Sequence, residues 1–256
     1  MKKILFIILV LGCSFLASGQ TLTQNINNRL LQKKDTTEKV LSLSLVDFDF
    51  FQLFLHTNNS VIYGFIGDNY QRIRMKFIKI TKNQSSADTY LVYGKSMVKN
   101  NICEFRGTIT ISDLMRYKKI SYGVDDEYKN RGIKGQYVIL GNYSFSENKT
   151  QAHSGIFKGM FQSNFYLDKN NKVHYDDIGM SDGFANNQFI GEWTSFKDNL
   201  AKKCNWGDFR IPDSGDLDIG VGDFSPDDKY LKYGWQSIRD ISISNSEAIE
   251  NAKWWK

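Results

Sequence analysis

The sequence predicts an all-β fold, mainly antiparallel, in which a curved sheet closes into a barrel; a two-layer β-sandwich is the alternative. Three observations predict it. In the stretch 155–167, Gly155, Phe157, Gly159, Phe161, Ser163, Phe165 and Leu167 share one phase, while Lys158, Gln162 and Asn164 share the other. That is the period of two of a strand with one dry face. A second alternating pair, Tyr90–Val98 and Ile102–Ile111, is joined by Lys99, Asn100 and Asn101, a short polar turn. Finally, Gly107, Gly141, Gly159 and Gly191 all fall in phase with large apolar neighbours. A missing side chain there leaves room for a sharp bend or a facing aromatic, and strong curvature favours a closed barrel over a flat sandwich.

Taken in order, residues 1–19 read as a signal peptide. Lys2 and Lys3 precede the apolar run Ile4–Leu11, and small residues at Ala17 and Gly19 set cleavage before Gln20. A competing reading takes Leu11, Gly12 and Cys13 as a lipobox, with Cys13 lipidated as the new N-terminus. Both readings export the chain, to the periplasm, the exterior or, through Cys13, the outer membrane. Residues 20–39 form a polar leader or short helix, and 40–256 a single β domain. Leu41, Leu43 and Leu45 alternate in one phase and Val46, Phe48 and Phe50 in the other, which predicts a long strand bent by a bulge. Short strands follow over 61–65, 70–80 and 137–145. Past the Lys169–Lys172 turn, the alternation at Val173 and Tyr175 predicts a return strand with His174 opposite Leu167, and Phe189, Gly191, Trp193 and Ser195 predict another. Eight or nine strands before Asn199 suffice for closure. The alternating Phe, Gly and Trp texture resembles that of lipocalin-like barrels, so a calycin-like architecture is among the expectations, with no family motif that carries over residue by residue.

The C-terminal third differs in kind. Residues 202–235 are rich in Gly, Asp and aromatic residues without lasting alternation, and predict a long ordered loop region packed on the barrel. Gln236–Ile243 reads as a last strand, and Asn245 or Ser246 as the cap of a short terminal helix through Trp254.

Composition narrows the function. Loss of Lys2 and Lys3 takes the 33 basic residues to 31 against 28 acidic ones, a net charge near +3 with both signs interspersed. No basic block marks a nucleic-acid surface, and no apolar stretch after processing reaches membrane length. Cys103 and Cys204 survive processing. In an oxidising compartment they can pair, which contributes about 4 to 5 kcal/mol in the chain-entropy model. Cys103 also shares a phase with Phe105 and Ile109, the position of a small buried hydrophobe.

Three groups of residues point to chemistry. Asp216, Asp218 and Asp223 alternate with glycines, the pattern by which a loop presents oxygens to calcium, although Gly220 replaces one carboxylate of an EF-hand and Asp227 its closing Glu. A solvated acidic loop with turn hydrogen bonds is the plainer reading. Trp206, Trp235, Trp254 and Trp255 are candidate ligand-binding aromatics, able to stack on sugar rings or anchor a partner; core packing is the competing use. Asp176, Asp177, Asp182, Glu192 or the acidic loop offer carboxylates for a glycoside-hydrolase pair. His56, His153 and His174 have no metal-ligand spacing. The expectation is an exported binding or envelope-interaction protein without intrinsic catalysis, its partner a small molecule, a glycan or an envelope protein, and no cofactor unless calcium. A secreted carbohydrate-active hydrolase is the alternative.

Overall fold

A computed structural model describes residues 37–39, 45–239 and 245–256. The signal peptide, Cys13 and most of the expected leader and first bent strand lie outside the described residues. Among the described residues, ten strands form one antiparallel sheet: β1 (Thr37–Lys39), β2 (Ile62–Ile66), β3 (Gln71–Asn83), β4 (Ser86–Val98), β5 (Asn101–Tyr117), β6 (Ile133–Glu147), β7 (Gly155–Asp168), β8 (Val173–Tyr175), β9 (Asn186–Ser195) and β10 (Ala201–Asp208). The sheet returns on itself. Going round, β5, β4, β3, β2, β10, β9, β7 and β6 are hydrogen-bonded neighbours, and β6 pairs back onto β5, so the strands form a closed ring. β1 and β8 add short pairings to β5 and β7 outside it.

The alternation of β7 is fully realised: every second residue from Gly155 to Leu167 is buried in the ring interior. Its partners place the glycines where the sequence asks for them. Gly159 lies opposite Gly191 on β9, and the Tyr143 ring from β6 lies across both, its hydroxyl 2.7 Å from where a Cβ at Gly159 would stand. Phe105, Phe145, Phe189 and Trp206 fill the middle of the ring, with Trp206 stacked on Phe189 at 4.8 Å.

Several expectations are corrected. The described part of the bent strand is not a strand. Residues 45–47 form a 3-10 turn and Phe51–Leu55 a short helix, α1. Phe50, Leu53 and Phe54 have helical spacing and are buried, while the Lys82 ammonium donates to the carbonyls of Leu45, Val46 and Phe48. Three carbonyls converging on one cation require a turned chain, which the period of two in Val46, Phe48 and Phe50 does not reveal. The hairpin past β7 is only three residues long, and its register puts His174 opposite Tyr166, with Leu167 opposite Val173. The irregular region begins at Phe209 instead of Lys202, because 201–208 is β10, with Cys204, Trp206 and Asp208 in the interior phase. The stretch 236–239 is helical (α2, Gln236–Arg239), and 240–244 lie outside the described residues. The terminal helix, α3, spans Ser246–Asn251 and stops short of Trp254.

The irregular region packs on the outside of the ring. Tyr63 and Phe65 alternate outward on β2, and a second core of Phe65, Ile211, Leu217, Phe224 and Trp235 covers them. Trp235 is fully buried, its indole N–H donating to the Tyr70 carbonyl at 2.7 Å.

Candidate ligand-binding mouth and its sealed opposite end

The two ends of the ring are unlike. One carries the β2–β3, β4–β5, β6–β7 and β9–β10 turns, and here the interior opens into a cavity of about 770 Å³. Its apolar wall is made by inward residues near the ends of several strands: Ile66, Ile73, Val98, Phe157 and Trp193. Size and lining both fall in the range of small-molecule sites.

Among these apolar residues stands one carboxyl. Glu147 continues the interior phase of Tyr137, Ile139, Tyr143 and Phe145, and is 4% exposed. Its Oε1 accepts from the Ser96 hydroxyl, and its Oε2 accepts from the Trp193 indole N–H and the Gly155 amide, both at 2.8 Å. Burial pushes its pKa up, and the three donors oppose the rise. The group therefore acts as a clamp, drawing β4, β7 and β9 together at the rim and fixing the Trp193 ring against the cavity.

Outside this ring of contacts the rim is mostly cationic. Lys99 lines the cavity from the β4–β5 turn, in a left-handed conformation at φ 54°. Lys202 reaches over the Trp193 ring, 5.8 Å from its centroid. Lys203 is tied back to the Asp213 carbonyl at 3.0 Å, and Asp68 is the one exposed acid among the described lining residues. An apolar chamber beneath a lysine-bearing lip suits a molecule with an apolar body and an anionic end.

The other end is closed. Residues 48–57, with α1, fold beneath β3, β7 and β9, where Phe54 packs edge-on against Phe161 at 5.5 Å. The seal is held by Asp208, also the last member of an interior stripe. A single carboxylate oxygen, Oδ2, accepts from Thr57 Oγ1 at 2.6 Å, Asn187 Nδ2 at 2.7 Å and Tyr175 Oη at 2.9 Å. Burial raises its pKa to about 7 against those donors. Only about 10 Å³ of space adjoins it, roughly one water.

The residues singled out from the sequence are dispersed. Trp206 and Trp235 are 2% and 0% exposed, each with its faces covered by its own core. Trp254 and Trp255 are half-buried near the chain end, edge to face at 5.6 Å, with Lys76 over Trp255. The acidic loop is organised by a cation from the chain itself. Asp218 Oδ2 pairs with Arg210 at 2.7 Å, and the same guanidinium donates to the Gly220, Val221 and Gly222 carbonyls. Asp216 pairs with Lys229 at 2.6 Å and Tyr230 at 2.8 Å, and Asp223 is exposed. Among the described residues no three His, Cys, Asp or Glu side chains converge as metal ligands. Arg210 and Lys229 thus supply positive charge to Asp218 and Asp216, two of the three carboxylates expected to hold calcium.

Of the hydrolase candidates, Glu192 and Asp176 lie far apart. Glu192 lies opposite Lys158 of β7, whereas the Asp176 amide bonds to the Asn164 carbonyl six residues further along the same strand. At about 3.3 Å per residue that is ~20 Å, well beyond a glycosidase pair. Asp177 and Asp182 are exposed. Cys103 and Cys204 are free, buried thiols whose pKa values burial and the Glu147 carboxylate push up.

Sequence reasoning missed both Glu147 and Asp208. The signal was present: each is an acid in phase with an apolar stripe, at its last position. Compared with protein-family models, curated proteins and solved structures, the chain has no significant match.

Proposed function

We propose that the protein is an exported binding protein that holds a small amphipathic anion in the open mouth of the ring, apolar body inward and anionic end at Lys99 and Lys202. The observation that carries this reading is the 770 Å³ chamber with its apolar wall and lysine lip, opposite an end that is packed shut. Export rests on the character of residues 1–19. Binding is favoured over turnover because the carboxyl in the chamber has both oxygens engaged by structural donors, which leaves it to hold the wall in shape.

The test is a titration of the mature protein with saturated fatty acids of eight to fourteen carbons, read by calorimetry and tryptophan fluorescence. Micromolar binding is expected. Val98→Trp, which fills the chamber, should abolish it, and Lys99→Ala with Lys202→Ala should weaken it about tenfold, the worth of roughly 1.4 kcal/mol. Binding unchanged in Val98→Trp would remove the mouth from consideration.

A further inference from the structure

A second cavity of about 540 Å³ lies on the outer side of the same rim, between the outward face of β3, the β4–β5 turn and the C-terminal segment. Every charged residue among its described walls is a cation: Arg72, Arg74, Lys99 and Lys232. Glu250 sits behind the wall, consumed by Arg72 at 2.5 and 2.9 Å, by Arg74 at 2.9 Å and by the Ser237 hydroxyl. Two guanidinium groups against one carboxylate leave an excess of positive charge, to which Lys99 and Lys232 add theirs; neither lysine makes a salt bridge among the described residues. Arg72 is 6% exposed, and its Nε–H has no acceptor there. The excess positive charge of this wall over its one carboxylate is what favours an anion in the groove.

The remaining walls say what kind of anion. Trp254 and Tyr233 contribute half-exposed rings, and Asn100 and Gln236 contribute exposed amides. Aromatic faces pack on the C–H face of a pyranose, and amides read hydroxyls as both donors and acceptors. We infer that this groove binds an acidic oligosaccharide, its carboxylates paired with Lys232 and the Arg72–Arg74 wall and one sugar ring stacked on Trp254. This groove shares Gln71 and Lys99 with the mouth but opens on the outer side of the rim, and the proposal stands whether or not the mouth takes a fatty acid.

Trigalacturonate, neutral maltotriose and sodium sulfate are titrated against the mature protein by calorimetry and amide chemical shifts. Trigalacturonate should bind at least tenfold more tightly than either comparison ligand, more weakly as salt rises, and equally well in Val98→Trp. Lys232→Glu and Trp254→Ala, each checked for native circular dichroism and melting temperature, should each weaken it about tenfold. Sulfate binding as tightly as trigalacturonate, or affinity unmoved by Trp254→Ala, would reduce the groove to a plain anion site and overturn the saccharide. Affinity unmoved by Lys232→Glu, or absence of trigalacturonate binding, would overturn the groove.

Discussion

The two ends of the ring use the same device for opposite purposes. Glu147 and Asp208 each end an interior stripe, each is nearly inaccessible, and each accepts from three donors. At the mouth, the donors belong to the wall of an open chamber, and two oxygens share them. At the sealed end, they include Thr57 from the plug, and one oxygen takes all three. A buried acid thus serves as a clamp on the wall where space must be kept and as a latch where it must be filled. The difference lies in what stands beside the carboxyl, about 770 Å³ of chamber or about 10 Å³ of gap.

That contrast is open to test, and truncation gives the largest effect. Asp208→Ala strands three donors in a dry interior, each costing about 1–3 kcal/mol, so a loss of at least ~3 kcal/mol is expected in urea melts. Glu147→Ala strands as many donors, but solvent entering from the mouth can replace the carboxyl. A loss of about half that size is expected, and equal losses would erase the distinction between wet and dry ends.

The next effect is the response to pH. Asp208 has a folded-state pKa near 7 against an ordinary value of 3.8, so the folded chain holds a proton there that the unfolded chain has lost. Stability through this group is full below about pH 4 and falls as pH rises to about 7, by on the order of 4 kcal/mol. Asp208→Asn, which keeps an oxygen acceptor, should flatten that part of the stability profile. Glu147 titrates in the same sense, and a slope unaltered by Asp208→Asn would assign the dependence elsewhere.

The smallest effect concerns the acidic loop, which belongs to neither end. With Arg210 already bound to Asp218 and to three carbonyls, millimolar calcium should move the melting temperature by less than about a degree relative to chelator. A rise of several degrees, lost in Asp218→Asn, would restore a cation to the loop.

Much of this architecture is legible in the order of residues alone. The ring follows from the period of two in β4, β5, β6, β7 and β9, because one buried face fixes every side chain's direction. Residues 48–55 resist that reading, since their apolar spacing suits a strand and a short helix equally, and the lysine that turns the chain, Lys82, lies on β3. β10 is obscured by Lys202, Lys203, Asn205 and Gly207, polar or small residues, of which Lys203 and Asn205 donate to the Asp213 and Pro212 carbonyls of the irregular region. The sites are harder still. Nothing local says that Ser96, Glu147, Gly155 and Trp193 meet; only closure of the ring brings four strands' ends to one rim. The tryptophans mislead for a related reason: burial is set by tertiary packing, and Trp206 and Trp235 look no different in sequence from Trp254.

The closure itself has a kinetic consequence. Around the ring, β2 to β3, β3 to β4, β4 to β5, β5 to β6, β6 to β7, β7 to β9 and β9 to β10 are pairings between neighbours along the chain or nearly so, while β2 with β10 joins Ile66 to Cys204. Seven pairings can zip sequentially, whereas the eighth must wait for the chain to come full circle, and such long-range contacts slow folding toward milliseconds to seconds. Until then the apolar segment Ile62–Ile66 presents an unpaired edge, open to association between chains. The second core, which caps the outer face of β2, assembles only after β10 has arrived. Burial of Trp235 against Phe65 is therefore expected late in folding, after β10 has paired with β2, and the tryptophan fluorescence lost between the parent and Trp235→Phe during refolding would time it.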